Sequence, residues 1–372
     1  MRGLFIFVPM EHYVVSARKY RPRTFDEVVG QEHITRTLTK AIETNHLAQA
    51  LLFTGPRGVG KTTTARILAR EINVDSQTEG DDDFSFNIFE LDAASNNKVE
   101  DIRNLIDQVR FAPQRGDYKV YIIDEVHMLS QAAFNAFLKT LEEPPSHAIF
   151  ILATTEKHKI IPTILSRCQI YDFKRISVSD TVAHLKEVAQ KEGLKADPKG
   201  LRVIAQKADG ALRDALSIFD RIASFSGDEI TYQAVIDNLR VLDFEYYFKT
   251  LELALAGDQA GLLNLLDDIL ANGFDPHQYI NGLASHLRDL LVARDEKTLS
   301  LLEADAETQE RYRQQAGACD LNYLFKNLKM LARTDERFRQ SQNQRLLTEI
   351  SLMELIPEAE AEASALKKKV LS

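Results

Sequence analysis

The chain has 372 residues and a formal net charge of −9, with 44% hydrophobic and 27% charged residues. Those figures describe a globular protein of two or three domains with material for a sizeable core, and they exclude a generally basic nucleic-acid coat. The only cysteines are Cys168 and Cys319, so no disulfide framework is implied and a reducing, cytoplasmic setting fits; no apolar run approaches the roughly 20 residues of a membrane span.

Residues 1–9 contain a short apolar run, Leu4 to Val8, without a clear cleavage site. They are read as an unstructured extension, with Met10 as the functional start. A helical stripe (Ile34, Leu38, Ile42) leads to the apolar strand Ala50-Leu51-Leu52-Phe53-Thr54. Then follows Gly55-Pro56-Arg57-Gly58-Val59-Gly60-Lys61-Thr62, which satisfies every position of the pattern G-x-x-x-x-G-K-[ST]. Its glycines let backbone N–H groups close around phosphate oxygens, and the helix that begins near Thr63 adds the positive end of its dipole. Lys61 can reach the outer phosphates and the Thr62 hydroxyl can ligate Mg²⁺. Strand, loop and helix in that order imply that the chain binds ATP or GTP.

The polar stretch from Asn73 to Asn87, with Asp81-Asp82-Asp83, reads as a solvated loop, since three adjacent carboxylates do not converge on a metal. Strands are expected at 87–91, 119–124, 148–153 and 168–173, and helices at 99–111 and from Ser130, a suitable N-cap, to Glu143, before Pro144-Pro145. Nearly all-apolar strands alternating with helices predict a parallel sheet covered on both faces. Beyond about Arg175 strand signals cease. Helical periodicity punctuated by Gly193, Gly210 and Gly227 takes over, a second all-helical block begins at Asp243, and the charged tail 358–372 is expected to fray.

Hydrolysis needs a metal, an oriented water and a cation for the charge that develops. Asp124-Glu125 closes an apolar strand, and with the phosphate loop upstream Asp124 is read as holding the Mg²⁺ shell and Glu125 as polarising the water. Thr154-Thr155 at the end of the next strand can bond a phosphate or the water, or serve as turn residues. Arg167 and Arg213 suit bidentate phosphate contact, but each alone is equally a surface cation.

Gly55 to Thr62, Asp124-Glu125-Val126-His127, Leu141-Glu142-Glu143-Pro144-Pro145, Ala153-Thr154-Thr155, Ser166-Arg167-Cys168 and Gly210 to Ala215 occur in the order found in clamp-loader ATPases of the AAA+ class. The resemblance covers about residues 10–357 and is nearest to the gamma/tau type of bacterial DNA polymerase III. Ala17 to Pro22, Phe25, and Val28-Val29-Gly30-Gln31 resemble that family's adenine-side segment, and Asp92 to Ser95 its second-strand signature. The resemblance implies an α/β P-loop domain over 10–174, a helical lid over 175–240 and an all-helical collar for oligomerisation over 241–357. It implies Thr155 as sensor 1, Arg213 as sensor 2, and Arg167 as a finger acting in trans on a neighbouring subunit's ATP. The implied partners are delta and delta-prime type subunits, further copies of the chain, a sliding clamp and primer–template DNA, with no membrane.

The family usually carries a four-cysteine zinc knob after the P-loop helix. Asn73 to Asn87 contains no Cys and no His, so no zinc is expected. The end of the chain near the third domain reads as the shorter, gamma-like form. Three rival readings make different demands on the sequence. A DEAD/DEAH-like helicase needs a second α/β motor domain. A branch-migration AAA+ motor would end in a winged helix with a basic recognition helix. A non-hydrolysing ATP-binding scaffold would not need Glu125 and Arg167.

Overall fold

The computed structural model describes residues 14–73, 84–114, 116–239, 242–302 and 306–357. The expectations for residues 1–9, for Asp81 to Asp83 and for the tail 358–372 therefore lie outside the described residues. The chain divides into two compact units, 1–235 and 236–372.

The first unit opens with a short helix α1 (Ser16–Lys19) and α2 (Glu32–Glu43), followed by β1 (Ala50–Thr54) and α3 (Lys61–Glu71). Next come β2 (Ile88–Asp92), α4 (Val99–Val109), β3 (Lys119–Asp124), α5 (Gln131–Glu142), β4 (Ala148–Thr154), α6 (Pro162–Leu165) and β5 (Gln169–Asp172). The five strands form one sheet in the order β2-β3-β4-β1-β5, every pair parallel. Every residue of β1 and β4 is buried, as central strands with both faces covered require. Alternation divides the core between the two faces. Leu52, Tyr121, Ile123, Phe150 and Leu152 pack with α4 and α5 residues such as Ile102 and Phe137, while Leu51, Phe53, Ile122 and Ile151 pack with Ile34, Leu38, Ala65 and Leu68. Each fully buried Leu, Ile or Phe contributes roughly 1.5–3 kcal/mol, so these two layers fix the strand ends where the site is built.

Ser130 is the N-cap of α5, its hydroxyl accepting from Ala133 N at 3.2 Å. The helix after β2 stops at Val109 rather than Phe111. Beyond the sheet lie α7 (Val178–Lys191), α8 (Pro198–Lys207) and α9 (Leu212–Ser226), then α10 (Tyr232–Leu239). Here one expectation is corrected. Strand structure does not cease at Arg175, because β6 (Lys195–Ala196) and β7 (Glu229–Ile230) pair in parallel between these helices. Two-residue strands carry no period, so pattern reading passes over them.

The second unit contains α11 (Phe244–Leu255), α12 (Gln259–Ala271), α13 (Pro276–Ala293), α14 (Ala306–Gly317), α15 (Leu321–Phe338) and α16 (Gln344–Glu354). Asp243, Asp258, Asp275, Asp320 and Asn343 cap five of these helices through side-chain oxygens that accept first-turn N–H groups. The apolar faces close on Phe248, Leu265, Leu283, Leu290, Leu331 and Leu352. No described helix of either unit is long and apolar enough to cross a membrane.

Candidate nucleotide site

Thr54 ends β1 and the loop turns at once on Gly55, whose φ of +138° only glycine tolerates. A Cβ there would also stand 2.3 Å from the Phe173 carbonyl oxygen. Gly58 and Gly60 have φ of +75° and +102°, and Gly60 delivers the chain into α3. The loop therefore wraps the N-terminus of α3 with inward backbone, the arrangement that binds phosphate. Lys61 is 6% exposed, and its ammonium donates to Gly55 O and Pro56 O at 2.7 Å each. Burial pulls its pKa below the usual lysine range, against the opposing charges of Glu125 and Asp124. A buried ammonium held on the loop carbonyls at the start of α3 fits a polyphosphate anion.

The parallel register brings the carboxyl ends of β1, β3 and β4 together. Thr62 Oγ1 donates to Asp124 Oδ2 at 2.6 Å, so a hydroxyl and a carboxylate stand side by side at the loop. That donor set fits Mg²⁺, which prefers hard oxygen ligands and retains several waters. Asp124 Oδ1 accepts from Glu125 N at 2.9 Å, and Glu125 adopts a left-handed φ of +48°. Its carboxylate accepts from Thr155 Oγ1 at 3.0 Å. The two threonines thus separate: Thr154 is fully buried, and Thr155 reaches Glu125.

The cleft, about 170 Å³, is lined by Arg57, Gly58, Val59, Gly60, Lys61, Thr62, Thr63, Asp124 and Glu125 on its phosphate side. Tyr20, Pro22, Val28, Val29, Ile176 and Leu216 give the other side an apolar character suited to a flat base. Arg213 also lines it, and its N–H donates to Gly58 O at 3.3 Å, so the start of α9 rests on the phosphate loop. Gly55, Pro56 and Thr155 are absent from the lining and act through Lys61 and Glu125.

Arg167 is brought elsewhere. It donates from Nη1 to Thr163 O at 2.6 Å and from Nη2 to Glu142, and it does not line the chain's own cleft. Sequence reasoning missed Leu212 and Leu216, whose only signal is their place on the apolar stripe of α9, and Ile176, which lies in the connection before α7 and carries no periodic signal. It also missed Asp172, which accepts from Thr54 Oγ1 at 2.5 Å and from Lys157 Nζ at 2.9 Å and so braces the end of β1. The Thr54 hydroxyl, then Lys157, hold the Asp172 carboxyl below the usual range. Among the described residues no cluster of three or more His, Cys, Asp or Glu could hold a metal, and the stretch expected to lack a zinc knob lies largely outside them.

Three family models together match most of the chain. One described as DNA polymerase III, delta subunit covers residues 30–177, one described as DNA polymerase III clamp loader subunit, ATPase lid domain covers 180–228, and one described as DNA polymerase III subunits gamma and tau domain III covers 230–368. The chain is 38% identical over 355 residues to DNA polymerase III subunit tau of Bacillus subtilis, a match covering 92% of this chain and 63% of that one. It is 40% identical over 275 residues to DNA polymerase III subunit tau of Escherichia coli, covering 71% and 43%. The chain thus spans less than two thirds of either relative's length. Among solved structures, the RuvB Holliday junction branch migration motor of Thermotoga maritima is 25% identical, with 63% of this chain and 78% of that chain covered and a TM-score of 0.48.

Proposed function

We propose that this chain, which belongs to the gamma/tau family of DNA polymerase III subunits, is an ATP-hydrolysing motor subunit of a sliding-clamp loader. The observation that carries the reading is the gathering of Lys61, the Thr62–Asp124 pair, the Glu125–Thr155 pair and Arg213 about one cleft, while Arg167 stands outside it. With Arg57 and Arg213 lining the cleft and Arg167 held on Glu142 outside it, this phosphate cradle with its held carboxylate is suited to completion by a neighbour's arginine.

In this reading Lys61 and the loop N–H groups bind the outer phosphates, and the apolar side formed by Val28, Val29 and Ile176 takes adenine. Mg²⁺, held by Thr62 and Asp124, would offset charge on those phosphates. Glu125 orients a water for attack on the terminal phosphorus and takes up its proton as the bond to the departing ADP breaks. Arg213 senses the phosphates from α9, and Arg167 meets the ATP of an adjacent subunit. Residues 10–174 serve as the nucleotide domain, 175–240 as the lid and 241–357 as the collar. ATP favours the clamp-binding shape of the assembly by its greater affinity for that shape. Delta and delta-prime type subunits and further copies of this chain complete the ring, which acts in the cytoplasm on a sliding clamp and primer–template DNA.

The test is phosphate release with and without primer–template DNA, for wild type and Lys61→Ala, each assembled with its co-purifying subunits. DNA should stimulate the wild type and leave the variant idle; equal rates would defeat the motor reading.

A further inference from the structure

One buried group at the strand ends does not line the cleft yet touches a residue that does. His127 lies in the 3-10 turn that follows Glu125 (Val126–Met128), and its side chain is 6% exposed. Its Nε2 is 2.9 Å from Glu156 Oε2. A carboxylate only accepts, so Nε2 carries a hydrogen and donates it. Its Nδ1 faces two oxygens, Thr154 Oγ1 at 3.0 Å and Glu125 Oε2 at 3.4 Å.

The surroundings hold the ring at both ends. Thr154 Oγ1 also accepts from Glu156 N at 3.0 Å, and Glu156 Oε2 also accepts from Lys159 Nζ at 2.8 Å. The imidazole is therefore anchored to the end of β4 and the turn beyond it, while its inner nitrogen abuts the same Glu125 oxygen to which Thr155 donates. Glu125 needs such backing. It sits at a positive φ, a strained conformation for a residue with a Cβ, and its side chain leaves β3 where the ladder has ended.

We infer that His127, carrying hydrogen on both ring nitrogens, is a positioning residue for Glu125: with Thr155 it confines Oε2 and thereby directs the other carboxylate oxygen toward the cleft, where water would be met. The inference rests on the reading of Glu125 as the water-orienting group. A plainer role is as a buried tie between the two turns, made through Nε2 and Glu156 alone. The two roles differ in which nitrogen matters.

The experiment compares His127→Ala, His127→Asn and His127→Gln in the full chain assembled with its co-purifying subunits. It measures kcat for ATP with saturating primer–template DNA, ATP affinity and thermal unfolding. Asparagine places an amide where Nδ1 stood, whereas glutamine reaches the place of Nε2. The alanine variant should lose roughly 10- to 100-fold in kcat, the range for a misplaced reacting group, with ATP affinity within about twofold. Asparagine should restore most of the loss and glutamine little. Unchanged kcat in the alanine variant, an equal loss of ATP affinity, or better rescue by glutamine would overturn the inference. Should the alanine variant not fold, the asparagine–glutamine contrast decides. Glu125→Gln serves as the control: full activity there would sink the reading of Glu125 instead.

Discussion

Arg167 turns its guanidinium onto Glu142, the first acid of the Glu142-Glu143-Pro144-Pro145 run, and away from the cleft that holds Lys61. The pair is part-exposed, so solvent screening keeps it weak and a phosphate could displace it. Arg167→Ala should therefore leave ATP binding by the isolated chain unchanged and lower turnover in the assembled complex by about 10³-fold or more. Titration of ATP into the chain, beside steady-state phosphate release by the complex, checks both halves. A fully active isolated variant would refute the trans role.

The contact of α9 with the phosphate loop predicts a second outcome. A Cβ on Gly58 would stand 3.1 Å from Ala211 Cβ and 3.4 Å from Arg213 Cβ, at a φ of +75°. Gly58→Ala should strain the loop by about 1–3 kcal/mol and push the start of α9 off it. ATP affinity, read by calorimetry, should fall about tenfold or more, one decade being about 1.4 kcal/mol.

In the second unit a buried histidine makes acid stability a test. Gln315 Nε2 donates to Phe248 O at 2.9 Å, so Gln315 Oε1 is the atom facing His286 Nε2 at 2.7 Å. Nε2 therefore carries the hydrogen, and Nδ1 accepts from Tyr312 OH at 3.2 Å. Burial pulls the His286 pKa down to about 4, although the Gln315 bond opposes it. The folded-state pKa is depressed, so the unfolded chain binds the extra proton and folding loses stability as pH falls below about 6.5. The loss should level off near pH 4 at on the order of 3 kcal/mol. Urea unfolding at steps between pH 7 and 4 reads the slope, and His286→Phe should remove most of it.

Tyr279 and Thr250 give a fourth. Thr250 Oγ1 donates its hydrogen to Tyr246 O at 2.6 Å, so in the 2.6 Å contact between the hydroxyls Tyr279 is the donor. Tyr279→Phe should leave a buried threonine oxygen short of one donor and destabilise by about 1–2 kcal/mol in urea unfolding, with ATP binding unaffected.

The phosphate loop is legible in sequence because its glycines, Lys61 and Thr62 each have a separate physical job at a fixed spacing. The apolar strands were legible because full burial leaves an unbroken run, as in Ala148 to Ala153. Other features depend on what the fold brings together across long separations. Nothing local distinguishes Arg213, which reaches the loop, from Arg167, which does not. Thr154 and Thr155 are equivalent as letters, and only the pleat sends one to His127 and the other to Glu125. Asp172 looks like an ordinary strand-end acid until β5 pairs with β1 and sets it against Thr54.

Asn73, 3% exposed at the end of α3, donates to Ala69 O at 2.9 Å and accepts from Tyr118 N at 3.0 Å, with Asn87 Nδ2 at 3.5 Å. Gly116 must stay a glycine there, since a Cβ would lie 2.7 Å from the Asn73 side-chain oxygen. Among the described residues, these amide groups tie the end of α3 to the entrance of β2 and to Tyr118. These amide-to-amide ties contain no thiol, so the hydrogen bonds among Asn73, Asn87 and Tyr118 do not depend on the redox state around them.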